Sequence, residues 1–337
     1  MQKEITKKTN LHKSDGYLNA GYSKRMMFEY NRKTVKAGIF SLKEWDFYQI
    51  LSGDWIIQMT IGHVSYIASF SAKIISLKTG ETKEFTKLSP LPFKSIKMPE
   101  NPEVPNQLEA KGKDYKFNFD THEGIKMLEL QAQDKKLGKI DIHLKIDYST
   151  ENEKMVIATP FEKKNQFYLN YKENYYDIQG FVKFGDLSVD IEKDATAVLD
   201  WGRGVWPFRH EWFWGNGTAN IDDGKFGFNI GWGFGDLSNA TENMFFWNEK
   251  AYKLGALTVE RDADDYMAPW KFKDDTVCFD FVMTPIFDNF TYTKIAFIKT
   301  QCHQVFGRYN GTATLPDGKK IIIKDMLAFC ELAENRW

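Results

Sequence analysis

The stretch KIDIHLKIDY, residues 139–148, alternates apolar and polar side chains along its whole length. Ile140, Ile142, Leu144 and Ile146 share one parity, and polar or charged residues occupy the other. A period of two is typical of a β-strand that buries one of its faces. This stretch therefore predicts a strand with one side in a core.

The same period of two recurs along most of the chain. It is clearest in DYKFNFD (114–120), YYDIQGFVKFGDLSVDIE (175–192), KFGFNIGWGF (225–234) and TYTKIAFI (291–298). Turn-forming residues separate such runs, as in KTGE (78–81), DDGK (222–225) and PDGKK (316–320), and Asp-Gly pairs are typical of hairpins. Because strands of this kind must close or stack to cover their edges, the sequence predicts an all-β, mainly antiparallel protein of barrels or sandwiches with little helix.

The length of the chain favours two domains. It has 337 residues, and a domain commonly takes about 100–200. The dipeptide Glu-Trp opens an aromatic run at residue 44 and again at residue 211, which suggests two similar halves. The proline-rich segment 89–113 is expected to be a long crossing loop. We expect an N-terminal arm that packs on the barrels (1–36), a first β domain (37–190) and a second β domain (191–337).

The composition excludes several classes of protein. The net charge is −1. The chain therefore lacks the basic excess that is typical of a protein with a nucleic-acid partner. The polar start and the absence of an apolar run of about 18 residues predict neither a signal peptide nor a membrane span. Cys278, Cys302 and Cys330 lack a paired spacing and predict reduced thiols. We therefore expect a cytoplasmic protein, and its oligomeric state stays open.

The stretch DWGRGVWPFRHEWFWGNG, residues 200–217, holds four of the ten tryptophans together with several charged groups. If residues 206–214 form one strand, Trp206, Phe208, His210, Trp212 and Trp214 share a face, and Arg209 and Glu211 lie on the other. One interpretation is an aromatic core beside an ion pair. The other is an apolar cavity whose few polar groups face a ligand.

The second interpretation assigns roles to named side chains. A carboxylic acid kept protonated by burial would donate a proton to an alkene or a leaving group. The arginines would hold an acidic group, and the indoles would shape the cavity. The catalytic candidates are Asp200, Glu211, Glu242 and His210. The ligand-binding candidates are Trp201, Arg203, Trp206, Arg209, Trp212, Trp214 and Asn243.

No motif for a cofactor or a metal stands out. The sequence has no GxSxG, HExxH or Walker glycine loop. GWGFG (231–235) lacks the spacing of a dinucleotide fingerprint, and no two histidines have the i, i+4 spacing of a helical metal site. We therefore expect no cofactor and no metal.

The chain resembles the bacterial family called domain of unknown function 2804. The resemblance rests on five stretches in this order: DGYLNAGYSKRMMFEYNR (15–32), KEWDFYQI (43–50), the 200–217 stretch, TEN (241–243) and ELAENRW (331–337). More distantly, the chain is similar to calycins, the lipocalin-like group that includes carotenoid hydratases. That similarity implies two lipocalin-like β domains around an apolar cavity, in some members with carboxylates acting as acids.

These observations lead to three functional expectations. The first is a protein that binds a hydrophobic or amphipathic small molecule and acts on it as a cofactor-independent hydratase, lyase, isomerase or cyclase. The second is a carrier of a lipid or isoprenoid with no chemistry. The third is a structural interaction module without a cavity.

Overall fold

The computed structural model describes residues 2–38, 40–90, 96–221, 223–295 and 298–337. Within them, the one helical element is a short 3-10 helix at Arg32–Thr34. The strands before residue 150 are β1 (Thr9–Asn10), β2 (Gly21–Ser23), β3 (Phe28–Glu29), β4 (Lys43–Ser52), β5 (Trp55–His63), β6 (Ile67–Ser76), β7 (Thr82–Pro90), β8 (Asn106–Lys111), β9 (Tyr115–His122), β10 (Ile125–Asp134) and β11 (Gly138–Asp147).

The remaining strands follow in the second half of the chain. They are β12 (Met155–Pro160), β13 (Phe167–Tyr175), β14 (Asp177–Phe184), β15 (Leu187–Asp190), β16 (Thr196–Val205), β17 (Arg209–Ile221), β18 (Gly224–Trp232), β19 (Met244–Trp247), β20 (Lys250–Lys253), β21 (Leu257–Glu260), β22 (Trp270–Asp274), β23 (Phe279–Ile295), β24 (Ile298–Thr314) and β25 (Lys320–Arg336). The all-β, antiparallel fold predicted from the sequence is confirmed.

The chain divides into two compact units. The central unit consists of Phe28–Asn152 and Leu169–Val205, and the terminal unit consists of Met1–Met27, Glu153–Tyr168 and Trp206–Trp337. Each unit is therefore assembled from separate segments of the chain. The domain boundaries predicted from the sequence, 37–190 and 191–337, stay a prediction.

The central unit is a sandwich of two antiparallel sheets. One sheet has the order β15-β14-β11-β10-β9-β8, and the other runs β13-β16-β4-β5-β6-β7. The alternation in residues 139–148 is confirmed, because Ile140, Ile142, Leu144 and Ile146 are all buried. Aromatic rings join the sheets: the centroids of Phe85 and Phe117 are 6.1 Å apart. Burying such side chains stabilises the unit by roughly 1.5–3 kcal/mol each.

The terminal unit is built on a nine-stranded antiparallel sheet with the order β20-β19-β18-β17-β25-β24-β23-β22-β21. One side of this sheet carries a large core, which includes Trp270, Phe228, Tyr309 and Cys330. The hairpins predicted at 222–225 and 316–320 join β17 to β18 and β24 to β25, although Asp222 lies outside the described residues.

Two local predictions from the sequence were wrong. Strand β17 begins at Arg209, so Trp206 and Phe208 do not belong to it and the face predicted for them does not apply. The segment 89–113, predicted as a loop, contains strand β8, which pairs with β9; residues 91–95 of that segment lie outside the described residues. No helix in the described ranges is long and apolar enough to cross a membrane.

Candidate functional site

The residues predicted for one site belong to both units. Asp200, Trp201 and Arg203 lie on β16 in the central unit. The other predicted residues lie in the terminal unit: Trp206, Arg209, His210, Glu211, Trp212, Trp214, Glu242 and Asn243.

Two hydrogen-bond donors and one ammonium group of the central unit surround the carboxylate of Asp200. Trp45 Nε1 donates to Oδ2 at 3.2 Å, and Asn170 Nδ2 donates to Oδ1 at 2.6 Å. Lys172 Nζ lies 3.4 Å from Oδ1. Because all three neighbours are donors, the arrangement presents Asp200 as an acceptor, which suits a carboxylate and does not favour the proton-donor role predicted for it.

Arg203 is fully buried, and its five N–H groups all have protein acceptors. Nη2 donates to Asp46 Oδ1 at 2.7 Å, and Nη1 donates to the carbonyl oxygens of Trp45 and Gly202 at 2.6 and 2.9 Å. Nε and Nη2 both donate to the carbonyl oxygen of Pro99. The guanidinium also lies 3.9 Å from the centre of a ring of Trp201, which is itself fully buried. These contacts stabilise the central unit. Because they occupy the N–H groups of Arg203, they do not favour its predicted role in holding a ligand.

Glu44 is the centre of a buried polar cluster beside Arg203. Tyr30 donates its hydroxyl to Oε1 at 2.7 Å, and Arg32 Nη1 lies 3.1 Å from Oε2. Burial opposes the ionisation of Glu44, but the hydrogen bond from His63 and the charges of Arg203 and Arg32 outweigh it, so its pKa lies below the ordinary value. Burial and the charge of Glu44 raise the pKa of Tyr30, which keeps its proton as a donor.

His63 lies between the backbone of Ser65 and the charged groups of Arg32 and Glu44. The backbone N–H of Ser65 donates to Nδ1 at 3.2 Å, so this nitrogen carries the lone pair. Nε2 lies 3.0 Å from Glu44 Oε2 and 3.1 Å from Arg32 Nη2. Ser65 has φ of 67°, a left-handed conformation that is costly for a residue other than glycine.

In the terminal unit, aromatic rings surround Phe234. We call this set the Phe234 cluster: Phe161, Tyr168, Trp206, His210, Trp212, Phe234 and Trp337. The ring centroids of Tyr168, Trp206 and Trp212 lie 4.9, 5.6 and 5.7 Å from that of Phe234. Edge-to-face pairs of this kind stabilise a structure by about 0.5–1.5 kcal/mol beyond their burial. Phe161, His210, Trp212 and Trp337 are only half-buried, so the cluster has an accessible side.

His210 lies between the indoles of this cluster. Its ring is stacked on Trp212 with centroids 5.7 Å apart, and it meets Trp337 edge to face at 4.9 Å. Nδ1 is 2.9 Å from the carbonyl oxygen of Pro207. Since a carbonyl only accepts, Nδ1 carries the proton, and in the neutral ring Nε2 is the basic nitrogen.

A chain of polar side chains continues from the cluster along the same side of the sheet. Trp212 Nε1 donates to Glu331 Oε1 at 2.8 Å, and Gln304 Nε2 donates to Oε2 at 3.0 Å. Trp214 Nε1 donates to Asn229 Oδ1 at 2.8 Å, and Asn229 Nδ2 donates to Glu242 Oε2 at 3.0 Å. The carboxylates of Glu331 and Glu242 are thus held by amide and indole donors.

Asn335 is the exception in this polar chain. It is the direct partner of His210 across β17 and β25, and only 3% of its surface is exposed. Neither its Oδ1 nor its Nδ2 makes a hydrogen bond to any described residue. A buried amide without partners costs about 1–3 kcal/mol, so such a group needs a physical explanation.

The other predicted residues of the terminal unit have different surroundings. Asn243 is buried, accepts from the backbone of Gly231 and donates to the carbonyl of Gly255, so its amide stabilises local backbone. Arg209 and Glu211 are exposed on β17, on the side of the sheet opposite His210. Within the described residues, no group of three or more His, Cys, Asp and Glu side chains is arranged to hold a metal ion.

Reasoning from the sequence missed four residues that carry these arrangements: Glu44, His63, Asn335 and Phe234. Glu44 and Asn335 lie in KEWDFYQI and ELAENRW, two of the stretches on which the family resemblance rests. A signal for both was therefore present. His63 and Phe234 lie outside those stretches, and only the pairing of the strands reveals their positions.

The fold is that of the lipocalin-like all-β proteins. The chain belongs to the family described as domain of unknown function (DUF2804), whose model matches residues 2–337. Among curated proteins, none matches the sequence at a significant level.

Solved structures resemble the chain along most of its length. Kievitone hydratase from Nectria haematococca matches with a TM-score of 0.50 and 12% identity, covering 91% of this chain and 92% of that one. CghA in complex with Sch210972 matches with a TM-score of 0.51 and 8% identity, covering 88% of both chains. A putative AttH from Nitrosomonas europaea has a TM-score of 0.46 and 12% identity, covering 90% of this chain and 96% of that one. At these identities, the likeness concerns the fold alone.

Proposed function

We propose that this protein binds a hydrophobic or amphipathic small molecule against the Phe234 cluster and transfers a proton on it without a cofactor. The observation that carries the proposal is the amide of Asn335, which is buried beside His210 and has no hydrogen-bond partner among the described residues. A polar group of the ligand would supply the missing partners. The half-buried rings of the cluster would cover the apolar part of the ligand.

His210 is the proposed proton-transfer group. The carbonyl of Pro207 fixes its tautomer, and stacking on Trp212 fixes the plane of its ring. An imidazole held in this way is a suitable general base, because its basic nitrogen has one orientation. The reaction would be an isomerisation, in which a proton leaves one atom of the ligand and returns to another, or a loss of water, in which a proton and a hydroxide leave neighbouring atoms as a double bond forms. Addition of water is the reverse of that loss.

The names of two structural neighbours are compatible with a small-molecule ligand. One is a hydratase, and another was solved in complex with Sch210972. Because the likeness concerns the fold alone, the proposal depends on Asn335 and the Phe234 cluster. Two alternatives remain to be tested against it, a carrier without chemistry and a structural module without a ligand.

Native mass spectrometry of the gently purified protein, followed by solvent extraction, tests the proposal first. We expect a bound apolar or amphipathic molecule on the wild-type protein and much less of it on Asn335→Leu, which has a similar size but no amide. Asn229→Leu is the matched control for loss of a buried amide, because Asn229 makes its hydrogen bonds to protein groups. Equal loading of the wild type and Asn335→Leu would refute the assigned site.

Solvent exchange separates an enzyme from a carrier. The extracted molecule is incubated with protein in D2O, and incorporation of deuterium is followed by mass spectrometry. Under the proposal, the wild type incorporates deuterium, whereas His210→Phe binds the molecule and does not. Incorporation at the same low rate with both proteins would indicate a carrier, and a chain that never retains a ligand would indicate a structural module.

A further inference from the structure

Four basic side chains form one row across four strands of the terminal unit. Arg209 on β17 is the direct partner of Arg336 on β25, Arg336 is the partner of Lys299 on β24, and Lys299 is the partner of Lys294 on β23. Direct partners in antiparallel strands place their side chains on the same side of the sheet. At an inter-strand spacing of about 4.8 Å, the row is about 14 Å long. We call it the cation row.

The cation row lacks carboxylates of its own. Arg209, Lys294 and Arg336 are exposed, and Lys299 is half-buried with its ammonium 5.7 Å from the ring centre of Tyr292. Within the described residues, no carboxylate lies at ion-pairing distance from any of the four. Like charges directly opposite each other destabilise a sheet, so a row of four has a cost that a bound anion would remove.

The rows behind the cations are increasingly apolar. The next row consists of Glu211, Glu334, Gln301 and Tyr292, and the one after it consists of Phe213, Leu332, His303 and Phe290. Glu211 and Glu334 reduce the positive charge but leave a net excess of cations. Phe290 and Tyr292 are 50% and 52% exposed, which is unusual for large aromatic rings beside a core.

We propose that the cation row binds the acidic head group of an amphipathic small molecule whose apolar part lies against Tyr292 and Phe290, the exposed rings behind the row. The charge of the row selects an anion, such as a carboxylate, sulfate or phosphate. The exposed rings behind the row select a ligand with an apolar body. Arg209, predicted from the sequence to hold an acidic head group, is one member of this row.

This site is separate from the one at Asn335. Along β25, Asn335 and Arg336 have opposite parity, so their side chains lie on opposite sides of the sheet. The side of Arg336, Leu332 and Cys330 is the one that carries the large core. Failure of either proposal therefore leaves the other untouched.

Calorimetric titration with decanoate tests the site, with decan-1-ol as the neutral counterpart. The test variant is Lys299→Gln/Arg336→Gln, which removes the two central charges. Its control is Lys271→Gln/Lys273→Gln, which removes two exposed lysines of β22 that have Glu260 and Asp280 as partners. Thermal unfolding of both variants verifies that they are folded.

We expect decanoate to bind the wild type saturably and more tightly than decan-1-ol. The affinity for decanoate should fall about tenfold or more in Lys299→Gln/Arg336→Gln and stay unchanged in the control. It should also weaken from low to physiological salt. Asn335→Leu should bind decanoate as the wild type does.

Three outcomes would overturn the proposal. The first is an equal affinity of the wild type and Lys299→Gln/Arg336→Gln for decanoate. The second is equal binding of decanoate and decan-1-ol, which would show that charge plays no part. The third is binding to phosphatidylglycerol vesicles without any binding of decanoate, which would make the row a membrane-docking surface.

Discussion

His210 and Asn335 face each other directly across β17 and β25. The tautomer of His210 is fixed by a backbone carbonyl, and the side-chain amide of Asn335 has no hydrogen-bond partner among the described residues. This pairing places an unsatisfied amide against a base in an aromatic environment. Buried polar groups with a structural role normally make hydrogen bonds within the protein, whereas groups that bind a ligand make theirs only in the complex. A structural role and a ligand-binding role of Asn335 therefore predict different effects of its replacement on the stability of the ligand-free protein.

Replacing Asn335 by leucine is expected to stabilise the ligand-free protein. The change removes an unsatisfied buried amide at nearly constant volume, so the free energy of unfolding should rise by up to about 1–3 kcal/mol. Urea denaturation of delipidated protein measures this. Asn229→Leu removes an amide whose hydrogen bonds are made, and it should lower the free energy of unfolding by about 1–3 kcal/mol. If Asn335→Leu loses as much stability as Asn229→Leu, the amide has a structural partner and the argument for a ligand fails.

Glu44 makes stability depend on acid pH. Its pKa is lower in the folded protein than in the unfolded chain, where a glutamate titrates at about 4.3. Its stabilising contribution is therefore fully present above that value and is lost as the pH falls through the lower folded pKa. The wild type should lose stability over this acid range.

The variant Glu44→Gln tests this linkage by urea denaturation at several pH values. At neutral pH, it should be less stable by about 3–5 kcal/mol, because Arg203 and Arg32 lose a buried carboxylate. Its stability should also fall less steeply below pH 5 than that of the wild type. Glu123→Gln, which alters an exposed glutamate of the same unit, should leave both quantities unchanged. An acid slope in Glu44→Gln as steep as in the wild type would contradict the assignment.

How far the sequence predicts the fold depends on the range of the interactions involved. The alternation in residues 139–148 and the turn residues at 316–320 are local signals, and they predict β11 and the β24–β25 hairpin correctly. Strand β8 was missed because the prolines before it dominate the segment 89–113, whereas its pairing with β9 is what makes it a strand.

The candidate sites were harder to predict because their partners are distant in the sequence. Arg203 and Asp46 are 157 positions apart, and only the pairing of β16 with β4 brings them together. Asp200 and Arg203 lie on one short stretch, yet their opposite parity directs them to different partners. The composition of residues 200–217 indicated one site, whereas the structure divides these side chains between two units.

Gly202 allows Trp45 to reach Asp200. A Cβ atom at position 202 would collide with the six-membered ring of Trp45, whose Nε1 donates to Asp200. Gly202→Ala should therefore displace this indole and lower the free energy of unfolding by about 1–3 kcal/mol through overpacking. Thermal unfolding and near-UV circular dichroism, which reports on tryptophan surroundings, measure the two effects.

The control for this substitution is Gly38→Ala at an exposed position. Apart from its chain neighbours, the one atom of the described residues within 4 Å of a Cβ atom there is Ser41 Oγ, at 3.3 Å. It should change neither the midpoint of unfolding nor the tryptophan signal. A Gly202→Ala protein with the wild-type spectrum and stability would mean that the ring of Trp45 has room to move.

Val277 adopts a backbone conformation that suits glycine. It lies in the turn between β22 and β23 with φ of 57°, and its side chain is 57% exposed. For a β-branched residue, a left-handed conformation costs roughly 1–2 kcal/mol, and the exposed side chain recovers little of it by packing. Replacement by glycine would relieve this strain, but it would also raise the conformational entropy of the unfolded chain, which offsets part of the stabilisation. Val277→Gly should therefore raise the free energy of unfolding by about 1 kcal/mol, whereas Val282→Gly, in the neighbouring strand β23, should lower it by a similar amount. Urea denaturation measures the free energy of unfolding of both variants. A loss of stability in both would mean that the side chain of Val277 stabilises the turn by more than its backbone strain costs.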